Sequence, residues 1–210
     1  MARRVRAYIG LGANVGDAET TLRAAVQALA ALPGASLVGV SRLYATAPVG
    51  IVDQPEFRNA VVALDVPPGP DPETGATALL VALKGLERAF GRKRRERWGP
   101  RELDLDLLLF GRARLSIERP AAGQSVDAAV DPGKAANLLE VPHPLAHERL
   151  FVLVPLVDLA PRLVPPGWRE TVETARRRAL SVEGPTAVRP IGEWSAAAKD
   201  WISARERISR

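Results

Sequence analysis

Cysteine is absent from this 210-residue chain, which excludes disulfides and thiolate-held metals. Histidine is nearly as scarce, with only His143 and His147, in the stretch HPLAH. Pro142 and Pro144 keep His143 in an extended segment, off any shared helical face, so a zinc pair does not follow. No apolar run reaches the roughly 20 residues of a membrane-spanning helix. The N-terminal MARRVRAYIGLG is basic, then briefly apolar, and reads as a first strand rather than a secretory leader. A reducing, cytoplasmic setting without a membrane partner is the expectation. Aromatic residues make up only 5%, and neither an RNP-type strand nor a recognition helix is present, which argues against a nucleic-acid partner. The P-loop GxxxxGK[ST] and the protein-kinase signatures are missing too. GLGANVG (10–16) is one residue too long for a dinucleotide fingerprint, and is expected to be a glycine-rich turn opening a helix.

What the chain does have is positive charge, +5 in total, which points to anionic ligands. Between Arg92 and Arg101 also lie Lys93, Arg94, Arg95 and Arg97, opposed only by Glu96. A second cluster runs from Arg176 to Arg178. Hydrophobic residues at 47% and charged residues at 25% mark an ordinary globular chain.

Periodicity supplies the elements. Residues 4–12, 36–46, 57–66 and 103–110 read as strands. One helix is capped by Asp17 and carries Leu22, Val26, Leu29 and Leu32; a second carries Leu79, Leu83, Leu86 and Phe90. The order β-α-β-β-α-β predicts an α+β, ferredoxin-like sheet with helices on one face. A short strand is expected at 113–117, an exposed insertion at 118–137 and a covering helix within 147–161. These divide the chain into a catalytic domain, 1–167, and a C-terminal helical appendage, 168–210, in which Trp194 and Trp201 share one face.

The most informative stretch is RWGPRELDLDLLLFG (97–111), which sets Asp104 and Asp106 inside an apolar run. Residues i and i+2 of a strand point to the same face, about 6.6 Å apart. Two carboxylates on a half-buried face repel and lose hydration unless a cation compensates. Mg²⁺ suits such a pair, because it takes few carboxylates and fills its shell with waters and phosphates. A structural network with neighbouring arginines is the alternative. The adjacent arginine-rich loop favours the metal, because guanidinium forks match phosphate oxygens, and phosphate beside carboxylate needs metal between them. Carboxylates, metal and arginines together describe phosphoryl transfer. The rivals are a two-metal phosphodiesterase and a basic nucleic-acid-binding module.

Four stretches, YIGLGANVGD, TAPVG…DQPEFRNAVV, LERAFGRKRRERWGPRELDLDLLLFG and VPHPLAHERLFVLVPL, together resemble the 6-hydroxymethyl-7,8-dihydropterin pyrophosphokinases of folate biosynthesis, over about residues 5–165. The resemblance implies the ferredoxin-like fold and transfer of a pyrophosphoryl group from ATP to the pterin hydroxymethyl, with AMP released and two Mg²⁺ ions engaged. It implies Asp104 and Asp106 as metal ligands, and these with Arg92 and Arg101 as the catalytic set. It places Glu87, Arg92, Arg94, Trp98, Arg101, Leu107, His143 and Arg149 at ATP. It places Thr46, Ala47, Pro48, Val49, Phe57, Asn59, Trp98 and Phe151 at the pterin. Ala13, Ala47 and Lys84 depart from residues common in the family. The loops 45–56 and 91–101 are expected to close over the substrates and exclude water.

Overall fold

The computed structural model describes residues 4–48, 50, 53–92, 99–119 and 136–203. β1 (Val5–Ala13) and β4 (Phe57–Val66) run antiparallel through the centre of the sheet. Their interior residues are apolar on both faces, as a strand covered on two sides requires. β5 (Asp104–Phe110) flanks β1 at one end of the sheet. On its other side β4 pairs with β2 (Ser36–Val40) and β3 (Leu43–Thr46). The single strand expected over 36–46 is thus broken. Ser41 interrupts it, its Oγ accepting from the Val61 N–H at 2.9 Å while its own N–H donates to the Val61 carbonyl.

α1 (Ala18–Ala30) and α2 (Pro72–Ala89) cover one face. Asp17 caps α1 by accepting from the Thr20 N–H, as expected, and Asp71 caps α2 through the Thr74 N–H, with Pro72 in the first turn. Their stripes, Leu22, Val26 and Leu29 from one and Leu79 and Leu83 from the other, pack on Ile9, Leu11, Val62, Leu64, Leu105 and Leu107. Strand order and helix placement give the ferredoxin-like arrangement read from the sequence.

The opposite face is covered as well, by the helix expected within 147–161 and by a second one from the C-terminal extension. α3 (Leu150–Leu159) and α4 (Val172–Glu183) bury Leu150, Leu153, Leu156, Val172 and Ala175 against Tyr8, Val61, Ala63, Leu108 and Leu109. Arg42 and Tyr44 pin the end of α3 to β3, the Tyr44 hydroxyl donating to Asp158 at 2.8 Å. The C-terminal extension contains the expected helix, and also β8 (Val188–Ser195) and β9 (Asp200–Ile202), which lengthen the sheet beyond β3. Trp194 and Trp201 face each other across that hairpin, ring centroids 4.9 Å apart, rather than along a helix. β6 (Leu115–Glu118) and β7 (Asn137–Val141) form a separate two-stranded ribbon. The expected insertion is the connection between them; its residues 120–135 lie outside the described residues.

Candidate active site

Asp104 and Asp106 alternate with Leu103, Leu105 and Leu107, and their side chains share the sheet face that carries α3. Across the ladder they oppose Gly12 and Gly10 of β1. Both glycines are inside the strand, as expected for 4–12, and the glycine-rich turn expected over 10–16 is confined to the residues beyond Ala13. On that face β1 offers Tyr8, then no side chain at Gly10 and Gly12, so its end of the sheet is hollow. A Cβ on Gly12 would stand 3.3 Å from Asn59 Oδ1 and 4.0 Å from the Asp104 Cβ, and one on Gly10 would touch Leu108. The hollow is a cleft of 340 Å³, walled by β1, β4, β5, the last residues of β3 and the start of α3.

The cleft gathers most of the residues singled out from the sequence. Asp104, Asp106, Arg92, Arg101, His143 and Arg149 line one part, and Thr46, Ala47, Phe57, Asn59 and Phe151 another. Asn59 is buried and its amide donates to Thr46 Oγ1 at 2.8 Å. The Arg149 guanidinium lies 5.6 Å from the centre of the Phe151 ring. His143 Nδ1 accepts from the Leu145 N–H, and the His143 backbone N–H donates to the Leu108 carbonyl, which ties this segment to β5.

Three expectations do not place a side chain on the wall. Leu107 is buried among the helices of the other face, as strand alternation requires. Glu87 is buried beneath the wall, where it supports rather than lines it. Pro48 stands at the edge of the described segment and is not among the lining residues. Val49, Arg94 and Trp98 lie outside the described residues, as do parts of both loops expected to close.

Glu87 explains how a helix on one face serves a cleft on the other. β5 ends the sheet, so the outward N–H and C=O of Leu105 have no strand to pair with. Glu87 Oε1 accepts that N–H at 2.7 Å, and Lys84 Nζ donates to that carbonyl at 3.0 Å. Lys84 and Glu87 also pair at 2.7 Å. Arg92, just past the end of α2, bridges Glu87 and Asp104, the second contact at 2.8 Å. The edge of β5 is therefore a ladder of charged side chains that carries Lys84 and Arg92 round into the cleft.

These charges set the state of the two aspartates. Withdrawal from water, then the neighbouring Asp106, pushes the Asp104 carboxyl up to about 6. For Asp106 withdrawal from water also pushes upward, but Lys84, His143, Arg92 and Arg149 together outweigh it and hold the carboxyl below its ordinary value. The pair thus enters neutral solution with Asp106 as the firmer anion.

Asn14 was not foreseen. Buried just past β1, it donates from Nδ2 to Gln54 Oε1 at 3.0 Å and to the Pro55 carbonyl at 3.1 Å. Its Oδ1 accepts the Arg101 N–H at 2.7 Å, and its own N–H donates to the Arg101 carbonyl. One amide joins the segment before β4 to the segment before β5. Gly10, Gly12 and Lys84 were likewise missed as parts of the wall. Strand alternation from Tyr8 is the signal that reaches the glycines.

Residues 8–161 match the model of the 7,8-dihydro-6-hydroxymethylpterin-pyrophosphokinase family. The chain is 42% identical over 170 residues to the 2-amino-4-hydroxy-6-hydroxymethyldihydropteridine pyrophosphokinase of Methylorubrum extorquens, covering 81% of this chain and 90% of that one. It is 39% identical to the Bacillus subtilis protein of the same name, over 73% of this chain and 77% of that one. Among solved structures it resembles the Plasmodium falciparum HPPK-DHPS crystallised with pterin and p-hydroxybenzoate, with a TM-score of 0.70 at 13% identity. That likeness covers 98% of this chain, which spans about half of the other, 49%.

Proposed function

The chain belongs to the 7,8-dihydro-6-hydroxymethylpterin-pyrophosphokinase family, and on that premise we propose how its cleft moves a pyrophosphoryl group from ATP to the hydroxymethyl of the dihydropterin. The observation that carries the reading is the division of one cleft into a charged part and an amide-and-aromatic part, meeting at Gly12 between Asn59 and Asp104.

In the charged part Arg92, Arg101, His143 and Arg149 receive the triphosphate, and Lys84 adds a further cation on the same wall. Asp104 and Asp106 fit a hard divalent cation. Both are oxygen donors on one face, with the hollow left by Gly10 and Gly12 beside them. Two carboxylates supply only part of such an ion's shell, and water and phosphate would complete it, as suits two Mg²⁺ ions. Bound there, Mg²⁺ neutralises the developing charge on the phosphoryl oxygens. Arg92 is the counter-ion of Asp104 here; with a divalent cation held by Asp104, its guanidinium would be free to face phosphate.

In the other part Asn59, positioned by Thr46, reads the hydrogen-bonding edge of the pterin, and Phe57 and Phe151 pack on its ring. The hydroxymethyl then points across Gly12 to the phosphates, where its oxygen attacks the β-phosphorus and AMP leaves. Positioning and charge supply the acceleration. No side chain is assigned as general base. A cytoplasmic setting belongs to this reading.

Product analysis tests it. Purified protein with Mg²⁺, ATP and 6-hydroxymethyl-7,8-dihydropterin is expected to yield AMP and a pterin diphosphate, both dependent on the pterin. ADP would make it a simple kinase, and cleavage of phosphate esters without ATP would make it a phosphodiesterase.

Gly12→Ala is a finer probe. The added methyl meets Asn59 Oδ1 at 3.3 Å, where the pterin edge and Asp104 converge. The KM for pterin is expected to rise roughly tenfold, the scale of a small overpacking penalty. The thermal midpoint should hardly move, because the methyl enters a hollow. An unchanged KM would show that the ring does not approach Gly12.

A further inference from the structure

β8 lies beyond the residues matched by the family model, yet it holds both ends of the segment that borders the pterin side of the cleft. Across the β3–β8 ladder Val188 opposes Thr46 and Arg189 opposes Ala45. Thr46 is the last residue of β3 before that segment, and Glu56 is the last residue of the segment before Phe57 opens β4. Arg189 Nη2 reaches Glu56 Oε1 at 2.8 Å and Oε2 at 3.0 Å. Arg58 adds a contact to Glu56 Oε2 at 3.4 Å and one to Glu19 at 3.0 Å, so the grip extends to α1.

The strand is itself anchored at its far end. It pairs with β9, whose Trp201 indole donates to the Ser41 carbonyl at 2.9 Å. Asp200 of β9 pairs with Arg23 of α1 at 2.7 Å. Thr46 and Phe57 are already partners across the β3–β4 ladder, so a strand fixed there and gripping Glu56 here steadies the residue from which the chain enters Phe57 and the pterin side of the cleft.

We infer that Arg189, acting through Glu56, is a positioning residue for the pterin half of the cleft. The inference rests on the assignment of Thr46, Phe57 and Asn59 to the pterin. Glu56 is held below the ordinary carboxylate range, chiefly by the hydrogen bond from Arg189, so the pair is ionised at neutral pH. Arg189 is 54% and Glu56 45% exposed, which makes the contact sensitive to salt and its effect graded.

Steady-state kinetics with each substrate varied decides the matter. Arg189→Glu is expected to raise the KM for pterin about fivefold, with kcat and the KM for ATP within about 1.5-fold of wild type. Arg189→Lys, which keeps the charge, should recover most of the loss, and high salt should narrow the gap between wild type and Arg189→Glu. Hydrogen exchange reads the same contact without substrate: the amides of Gln54, Glu56, Phe57 and Arg58 should exchange faster in Arg189→Glu while those of β1 do not. An unchanged pterin KM in an active enzyme would overturn the inference. So would a parallel fall in affinity for both substrates with a lowered thermal midpoint, because that marks a contact serving the fold alone. Wild-type protein that makes no pterin-dependent AMP would instead remove the assignment beneath it, an outcome separable from the other two.

Discussion

Replacing Asp106 with alanine is expected to lower pterin-dependent AMP formation about a thousandfold, the scale on which a preorganised charge at a reacting centre contributes. Asp104→Ala should do the same, and the two effects should not add, because the carboxylates act as a unit. They differ in how they titrate. Asp106 is held below its ordinary value chiefly by Lys84, with His143, Arg92 and Arg149 adding to it, while Asp104 is pushed from 3.8 up to about 6. Between those values native metal-free protein keeps a proton on Asp104 that the unfolded chain has released. The native state then binds more protons than the unfolded one, so this group's contribution to stability is present below about pH 4 and lost as pH rises through about 6. Thermal unfolding of metal-free wild type and Asp104→Asn across that range measures the difference, which should open as pH rises, with the variant the more stable. A divalent cation competes for the same oxygens, so its affinity should climb through the same window. Equal thermal midpoints for the two proteins at every pH would remove this account of Asp104.

Glu87→Leu is expected to cost about 3 to 5 kcal/mol, the penalty for removing one partner from a buried charge network. Glu87 is buried, and it alone answers the Leu105 N–H, Lys84 and Arg92 together. Without it the edge of β5 keeps an unpaired N–H, and two cations face each other across a leucine. Glu87→Gln retains an acceptor for Leu105 but no charge, and should lose about half as much. Urea denaturation with an unchanged slope would report both losses directly. The folded fraction of Glu87→Leu should also turn over slowly, since Arg92 is then held by Asp104 alone. Loss of activity without loss of stability would mean that Glu87 touches substrate rather than supporting the wall.

How much of this could be read from residues alone follows from the range of each signal. The Asp104–Asp106 face needs only the two-residue period of a strand, and the helix stripes of Leu22, Val26, Leu29, Leu79 and Leu83 need only the helical one. Both are local, and both were legible. Gly10 and Gly12 fall in the strand expected at 4–12, while the glycine-rich turn expected over 10–16 begins only after Ala13. That they hollow a strand emerges only when β1 is set beside Asn59 and Asp104. The break at Ser41 depends on Val61, twenty residues on. Glu87 and Lys84 serve a cleft on the far side of the sheet because β5 happens to be the last strand, which no local pattern announces. β8 could not be foreseen from its composition, with Pro190 and Gly192 in an otherwise short run. Strand parity also places the Leu107 side chain in the core, opposite the two aspartates.

Asn14 has a bearing on how the two substrates meet. Its one side chain holds Gln54 and Pro55 before β4, on the side proposed for the pterin, and the Arg101 backbone before β5, on the side proposed for the phosphates. Any shift of one segment that improves the fit of its substrate is carried to the other through a single rigid amide. Binding free energies joined in this way are reciprocal: the factor by which ATP tightens the pterin equals the factor by which the pterin tightens ATP. Cutting the amide back to a methyl group should drive that common factor toward one, leaving two binding sites that no longer know of each other.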